Sequence, residues 1–117
     1  MRSLTILGST GSIGENALRV AGALPDRLRV TGLATRTHVA RVLEQAKAFG
    51  VRQVAVGDVA AAAEARRLAP AGVRVLAGEE GVAELAATGE ADTVLCALVG
   101  MAGLRPTLAA IEAGRDV

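Results

Sequence analysis

Three glycines spaced three residues apart, Gly8, Gly11 and Gly14, restrict the possible folds of this chain more than any other feature. They follow a short apolar run, Leu4–Leu7, and precede a helical pattern over residues 12–24. A glycine triplet between a strand and a helix is typical of a loop that binds a dinucleotide diphosphate. In such a loop Gly8 would permit the tight turn, Gly11 would let the diphosphate approach the backbone, and Gly14 would let the helix pack closely on the sheet.

The first turn of that helix supplies further groups that suit a phosphate. Unpaired N–H groups and the positive end of the helix dipole would face the ligand, and the hydroxyls of Thr10 and Ser12 add donors. Ser12 and Glu15 also match a capping box, in which the hydroxyl accepts from a backbone N–H and the glutamate reaches back. The spacing differs from the commoner G-x-G-x-x-G, and a glycine turn without a ligand is the alternative; the strand–turn–helix context favours the binding loop.

Strand-like and helical segments alternate along the chain. The predicted strands are Leu4–Leu7, Leu28–Leu33, Gln53–Val56, Val73–Leu76 and Thr93–Val99. The predicted helices cover about 12–24, 38–49, 59–69 after a cap at Asp58, 82–87 and 106–114. The short connections predict an α/β fold with a doubly wound, mostly parallel, Rossmann-like sheet. Residues 115–117 resemble the start of another strand, so we expect the sheet to be truncated before its last strands.

The end of the second strand indicates which cofactor the loop would bind. An NAD site requires an acid there, to hold the ribose 2′-hydroxyl, and the chain has Thr35-Arg36-Thr37-His38 instead. Arg36 suits a 2′-phosphate, although a solvated loop arginine is the alternative. Thr37 is expected to cap the second helix and to donate to the same phosphate. His38 would contact the adenine end, or would be an exposed residue of the first helical turn. The predicted cofactor is therefore NADPH.

Composition excludes several classes of function. The 117 residues fit one domain, and a net charge of +1 gives no basis for binding nucleic acid or an anionic membrane. No apolar run reaches the length of about 18 residues that spans a bilayer, so we expect a cytoplasmic protein. Cys96 is the only cysteine and lies in an apolar strand, where it is interpreted as a small buried hydrophobic residue. One histidine and scattered acids form no metal-ligand pattern, and no catalytic residue is assigned.

The sequence resembles the N-terminal domain of the 1-deoxy-D-xylulose 5-phosphate reductoisomerase family over essentially its whole length. The resemblance depends on residues 4–14 and 97–111, with Ala113-Gly114 following. It implies an enzyme that rearranges 1-deoxy-D-xylulose 5-phosphate and reduces the aldehyde with NADPH, forming 2-C-methyl-D-erythritol 4-phosphate for non-mevalonate isoprenoid synthesis. It also implies a divalent metal (Mg²⁺, Mn²⁺ or Co²⁺) as Lewis acid, and cofactor contacts from Thr10, Gly11, Ser12 and Ile13.

The chain departs from the family pattern in two places. After the second strand, Arg36 takes the position of a family glycine and His38 that of an asparagine. The family's metal ligands, substrate site, lid and dimer interface also lie downstream, so residues 1–117 are expected to be an NADP-binding domain without the catalytic and C-terminal domains. We expect the fragment to bind NADPH without turnover, and to self-associate through an exposed sheet edge. In the full enzyme the partners would be a phosphorylated sugar and a second subunit.

Two other functions are compatible with the same loop. The first is the cofactor domain of another NADP-dependent reductase, although the chain has no tyrosine for a Tyr-x-x-x-Lys pair. The second is a non-catalytic NADP-binding sensor. Gly100 and Gly103 follow the fifth strand, where they would either flank the nicotinamide or simply shape a turn.

Overall fold

Strands and helices alternate as the sequence predicts. The computed structural model describes residues 2–88, 90–98, 106, 111, 113–114 and 116–117. Its elements are β1 (Arg2–Leu7), α1 (Ser12–Ala23), β2 (Leu28–Thr35), α2 (Val39–Phe49), β3 (Gln53–Val56), α3 (Val59–Leu68), β4 (Arg74–Ala77), α4 (Gly78–Thr88) and β5 (Thr93–Cys96). Most of the predicted fifth helix, together with Gly100 and Gly103, lies outside the described residues.

The five strands form one sheet in the order β4-β3-β2-β1-β5, and every pairing is parallel. Alternate strand residues supply a hydrophobic core on each face of the sheet. One core contains Ile6, Leu33 and Val54 with buried residues of α1, α2 and α3. The other contains Leu7, Ala34, Ala55 and Leu76 with buried residues of α4. Burial on both faces explains the continuous apolar runs in the strands and confirms the doubly wound fold.

The direction of winding reverses at β1. The chain steps outward through β2, β3 and β4, and α4 then returns it so that β5 pairs with the free edge of β1. The carboxyl ends of β1 and β5 therefore meet at the topological switch point, the usual location of ligand sites in open α/β sheets. The Gly8–Gly14 loop leaves β1 at this position.

An isolated β-bridge lies beside β5. Thr93 and Asp116 make a parallel β-bridge, and the Val94 N–H donates to the Asp116 carbonyl at 2.7 Å. The Arg2 guanidinium bonds to the Asp116 carboxylate at 3.0 Å and to the Thr93 hydroxyl at 2.8 Å. Asp116 therefore lies beside β5, and the predicted additional strand stays a prediction.

The boundaries of α4 and β5 differ from the prediction. α4 begins at Gly78 rather than near Val82, because Gly81 lets its first turn pack against β4: an added Cβ there would lie 2.8 Å from the Leu76 carbonyl carbon. Two glycines in four residues weaken the helical signal in the sequence. β5 ends at Cys96 rather than at Val99, which lies outside the described residues.

Candidate dinucleotide-binding site

The loop after β1 turns sharply because of Gly8, whose φ of 84° lies in the left-handed region. The N–H groups of Gly8 and Ser9 both donate to the Ala34 carbonyl of β2 at 2.9 Å. On the other side, a Cβ on Gly8 would lie 3.0 Å from the Ala97 carbonyl oxygen, just beyond β5. Gly8 therefore provides the tight turn that the sequence predicts, between the ends of β2 and β5.

Gly14 lets α1 contact the backbone of the loop itself. An added Cβ would clash with the Gly8 carbonyl oxygen and would lie 2.6 Å from the Ser9 Cα atom. The close approach was predicted correctly, but the surface that Gly14 meets is the loop rather than the strands of the sheet. Gly11, by contrast, is exposed, and the nearest atom to an added Cβ would be the Gly8 oxygen at 3.6 Å. A ligand can therefore approach the backbone at Gly11.

The first turn of α1 presents unpaired amide groups. The Gly11 carbonyl accepts from the Glu15 N–H at 2.8 Å, as the first bond of the helix. The N–H groups of Ser12, Ile13 and Gly14 precede that bond, and they have no hydrogen-bond partner among the described residues. These donors lie at the positive end of the helix dipole, beside the exposed Gly11.

The predicted capping box is wrong. Gly11 is the N-cap of α1, and no side chain caps the helix. Glu15 instead forms a bidentate ion pair with Arg41 of α2, in which both N···O distances are 2.7 Å. The hydrogen bond from Arg41 lowers the pKa of the Glu15 carboxyl, partial burial opposes this, and the Gln45 side chain lowers it further. The same bond raises the pKa of Arg41.

A buried pair joins the loop to α2. Ser9 Oγ donates to Gln45 Oε1 at 2.8 Å, and Gln45 Nε2 donates to the Ser9 carbonyl at 2.9 Å. Ser9 is fully buried and Gln45 is 2% exposed. Neither residue is assigned a role from the sequence alone. The available signal was a glutamine beside the apolar stripe of α2, between Val42 and Ala46.

The loop also meets the end of β2. Thr10 Oγ1 lies 2.8 Å from Thr35 Oγ1, and His38 Nδ1 lies 3.5 Å from Thr10 Oγ1. The structure thus brings together the two segments that the sequence analysis selected separately. Thr35 is buried, whereas Arg36, Thr37 and His38 are exposed.

Arg36 has an anchored backbone and an exposed side chain. Its carbonyl accepts from the Asp58 N–H at 3.0 Å, and its guanidinium makes no ion pair with any described residue. The predicted cap by Thr37 is wrong, because His38 is the N-cap of α2 and no side chain caps that helix. The Val39 N–H donates to the Thr37 carbonyl at 2.8 Å, and His38 has φ −81° and ψ 68°, the geometry of an inverse γ-turn. This turn places Thr37 one residue outside the capping position.

The other predictions concern Cys96, metal ligands and membrane-spanning segments. Cys96 lies at the end of β5, where it is partly buried and packs against the α4 core. Within the described residues, no group of three or more His, Cys, Asp and Glu side chains could hold a metal ion. None of the described helices has the length and apolar composition to cross a membrane.

A parallel sheet with a glycine loop and unpaired helix amides at its switch point defines a Rossmann-like domain of the dinucleotide-binding type. The chain belongs to the 1-deoxy-D-xylulose 5-phosphate reductoisomerase family, whose model matches residues 4–117. The resemblance inferred from the sequence is thereby confirmed. The chain is 50% identical over 117 residues to a 1-deoxy-D-xylulose 5-phosphate reductoisomerase of Anaeromyxobacter sp. strain K, and 44% identical to one of Thermodesulfovibrio yellowstonii. It covers 30% of the length of each of these relatives.

Solved structures show the same fold. The reductoisomerase of Zymomonas mobilis in complex with NADPH matches 97% of this chain with a TM-score of 0.89 and 33% identity. A reductoisomerase in complex with NADPH, fosmidomycin and magnesium matches 98% of it with a TM-score of 0.90 and 36% identity. This chain covers 30% and 29% of those two chains.

Proposed function

We propose that this chain binds NADPH, with the diphosphate at the Gly8–Gly14 loop. The observation that carries the proposal is the set of unpaired N–H groups of Ser12, Ile13 and Gly14 beside the exposed Gly11 at the switch point. Amides at a helix N-terminus bind phosphate oxygens without further rearrangement. Relatives of the same fold that were solved with NADPH support the assignment.

Within the loop, each proposed contact has its own role. Gly8 and Gly14 shape the turn, and Gly11 leaves room for the diphosphate. Thr10 and Ser12 add hydroxyls to the backbone donors. Ile13 is an apolar side chain that is 64% exposed at the start of α1, and it would cover part of the bound dinucleotide.

The segment after β2 would hold the adenosine end. The exposed Arg36 guanidinium suits the 2′-phosphate, because it can donate two parallel hydrogen bonds to the oxygens. The Thr37 hydroxyl is free of any capping role and can donate to the same phosphate. His38, close to Thr10, would contact the adenine or its ribose.

We further propose that residues 1–117 act as the NADP-binding domain of a cytoplasmic, homodimeric enzyme that isomerises and reduces 1-deoxy-D-xylulose 5-phosphate to 2-C-methyl-D-erythritol 4-phosphate. The chain spans about 30% of the curated relatives that it matches. The family resemblance implies that the ligands of the divalent metal and the catalytic groups would come from other parts of such an enzyme. The contribution of this chain would be to bind and orient the hydride donor.

The proposal is tested by titrating the protein with NADPH and NADH and comparing the two dissociation constants. We expect a single NADPH site and a clear preference over NADH. Arg36→Ala should reduce that preference by about tenfold, the effect of one charge-assisted contact. Arg29→Ala, which removes an exposed arginine near the opposite end of β2, should leave the preference unchanged. No NADPH binding by the wild type would refute the proposal, and an unchanged preference in Arg36→Ala would refute the role of Arg36.

A further inference from the structure

Three backbone and side-chain atoms of Ser9 are hydrogen-bonded to β2 and α2. The Ser9 N–H donates to the Ala34 carbonyl, while the Ser9 hydroxyl and carbonyl both bond to the Gln45 side-chain amide. These bonds leave Ser9 little freedom to move. Since Ser9 immediately precedes Thr10 and Gly11, its bonds to α2 and β2 fix the orientation of the peptides that follow it.

Packing alone does not require a glutamine at this position. A polar side chain that is 2% exposed costs free energy unless its groups are hydrogen-bonded, and an unbranched apolar residue would fill similar space without that cost. Both functional atoms of Gln45 are directed to Ser9, in a reciprocal pair 36 residues apart in sequence. A satisfied buried pair of this kind selects one relative orientation of the two segments.

The same face of α2 also contacts the first turn of α1. Arg41, one helical turn before Gln45, binds the Glu15 carboxylate, and the Gln45 side chain contributes to lowering the pKa of Glu15. In the chain, Ser9 precedes the three unpaired amides and Glu15 follows them. The donors for the diphosphate are therefore held at both ends by side chains of α2.

We propose that Gln45 is a positioning residue, which holds the Gly8–Gly14 loop through Ser9 in the conformation that accepts a dinucleotide diphosphate. This inference rests on the proposed NADPH site. Gln45 is buried beneath the loop and acts through Ser9, without touching the cofactor. Substitution of Gln45 should therefore lower the affinity for ligands that carry the diphosphate. The affinity for a ligand that uses only the adenosine end should stay the same.

The test compares two ligands on matched variants. Gln45→Met keeps an unbranched side chain of similar size and removes both bonds to Ser9. NADPH carries the diphosphate, whereas adenosine 2′-monophosphate lacks it and keeps the 2′-phosphate. We expect Gln45→Met to raise the dissociation constant of NADPH at least about fivefold and that of adenosine 2′-monophosphate less than about twofold.

Gln53→Met is the control for a change of glutamine to methionine elsewhere. The Gln53 side chain is half-buried at the start of β3, and its Oε1 atom has no hydrogen-bond partner in the part of the chain that the structure describes. This variant should bind both ligands like the wild type. Ser9→Ala removes only the hydroxyl and keeps the bond from Gln45 to the Ser9 carbonyl, so it tests the same contact should Gln45→Met fail to fold. Its effect on NADPH should be smaller than that of Gln45→Met and should not add to it in the double variant.

Two results would overturn the inference. One is wild-type NADPH affinity in folded Gln45→Met, or in Ser9→Ala where Gln45→Met does not fold. The other is an equal loss of affinity for both ligands, which would indicate that the substitution destabilises the whole domain. A wild-type protein that binds adenosine 2′-monophosphate but not NADPH would instead refute the diphosphate site itself, so the two failures are distinguishable.

Discussion

Replacing Ser12 with proline removes one amide donor from the loop without disturbing the helix. Ser12 is the first residue of α1, a position that tolerates proline because its N–H has no helical partner. Gly11 before it has φ −81° and ψ 174°, the extended conformation that a residue preceding proline requires. The substitution should therefore leave the melting temperature nearly unchanged.

The effect on cofactor binding should be large, because a hydrogen bond to a charged group contributes about 1.5–3 kcal/mol. At 1.4 kcal/mol per factor of ten, the NADPH dissociation constant should rise about 10- to 100-fold. Isothermal titration calorimetry measures the constant directly.

Two controls isolate the amide. Ser12→Ala keeps the N–H and removes only the hydroxyl, so it should bind more tightly than Ser12→Pro. Val59→Pro places proline at the first position of α3, after an extended Asp58, and should leave NADPH binding unchanged. If Ser12→Pro folds and binds NADPH as tightly as Ser12→Ala, the loop amides do not hold the diphosphate.

Three further predictions concern stability. Gly14→Ala should lower the free energy of unfolding by about 3 kcal/mol or abolish folding, because its Cβ would meet the loop backbone; a small change in chemical denaturation would contradict this packing. Thr5→Val should raise that free energy by about 1 kcal/mol, since the Thr5 hydroxyl is buried and has no hydrogen-bond partner among the described residues. A decrease in the free energy of unfolding would contradict this. The pKa of Glu15 is lower in the folded state than in the unfolded state, because its carboxylate pairs with Arg41. This pairing stabilises the fold at pH values above the unfolded pKa, and the stabilisation is lost as the pH falls through the folded pKa. Melting curves of the wild type should therefore converge with those of Glu15→Gln in acid, and parallel curves would argue against the pair.

The glycine loop could be predicted from the sequence because its determinants are local. A left-handed φ at Gly8 and close backbone contact at Gly14 require glycine wherever they occur, and the neighbouring strand and helix patterns are continuous in sequence. The structure brings His38, in the segment that follows β2, close to Thr10. Whether Arg36 and His38 bind the cofactor remains a prediction.

The capping predictions failed because side-chain hydrogen bonds depend on the exact turn that precedes each helix. Glu15 fits the capping-box pattern, but Arg41 of another helix offers it a bidentate partner. Thr37 is a good capping residue type, but the turn at His38 separates it from α2 by one position. In each case a pattern of neighbouring residues was insufficient to define the contact.

Residue type and periodicity alone therefore determined the α/β class, the doubly wound sheet and the place of the loop, since local backbone preferences and the alternation of apolar residues act over a few positions. The tertiary structure decided which side chains hold that loop. The Ser9–Gln45 and Glu15–Arg41 pairs join residues 36 and 26 positions apart, and they exist only because parallel crossovers place α1 and α2 side by side. No local sequence pattern encodes these contacts, because they depend on how the two helices lie across the sheet.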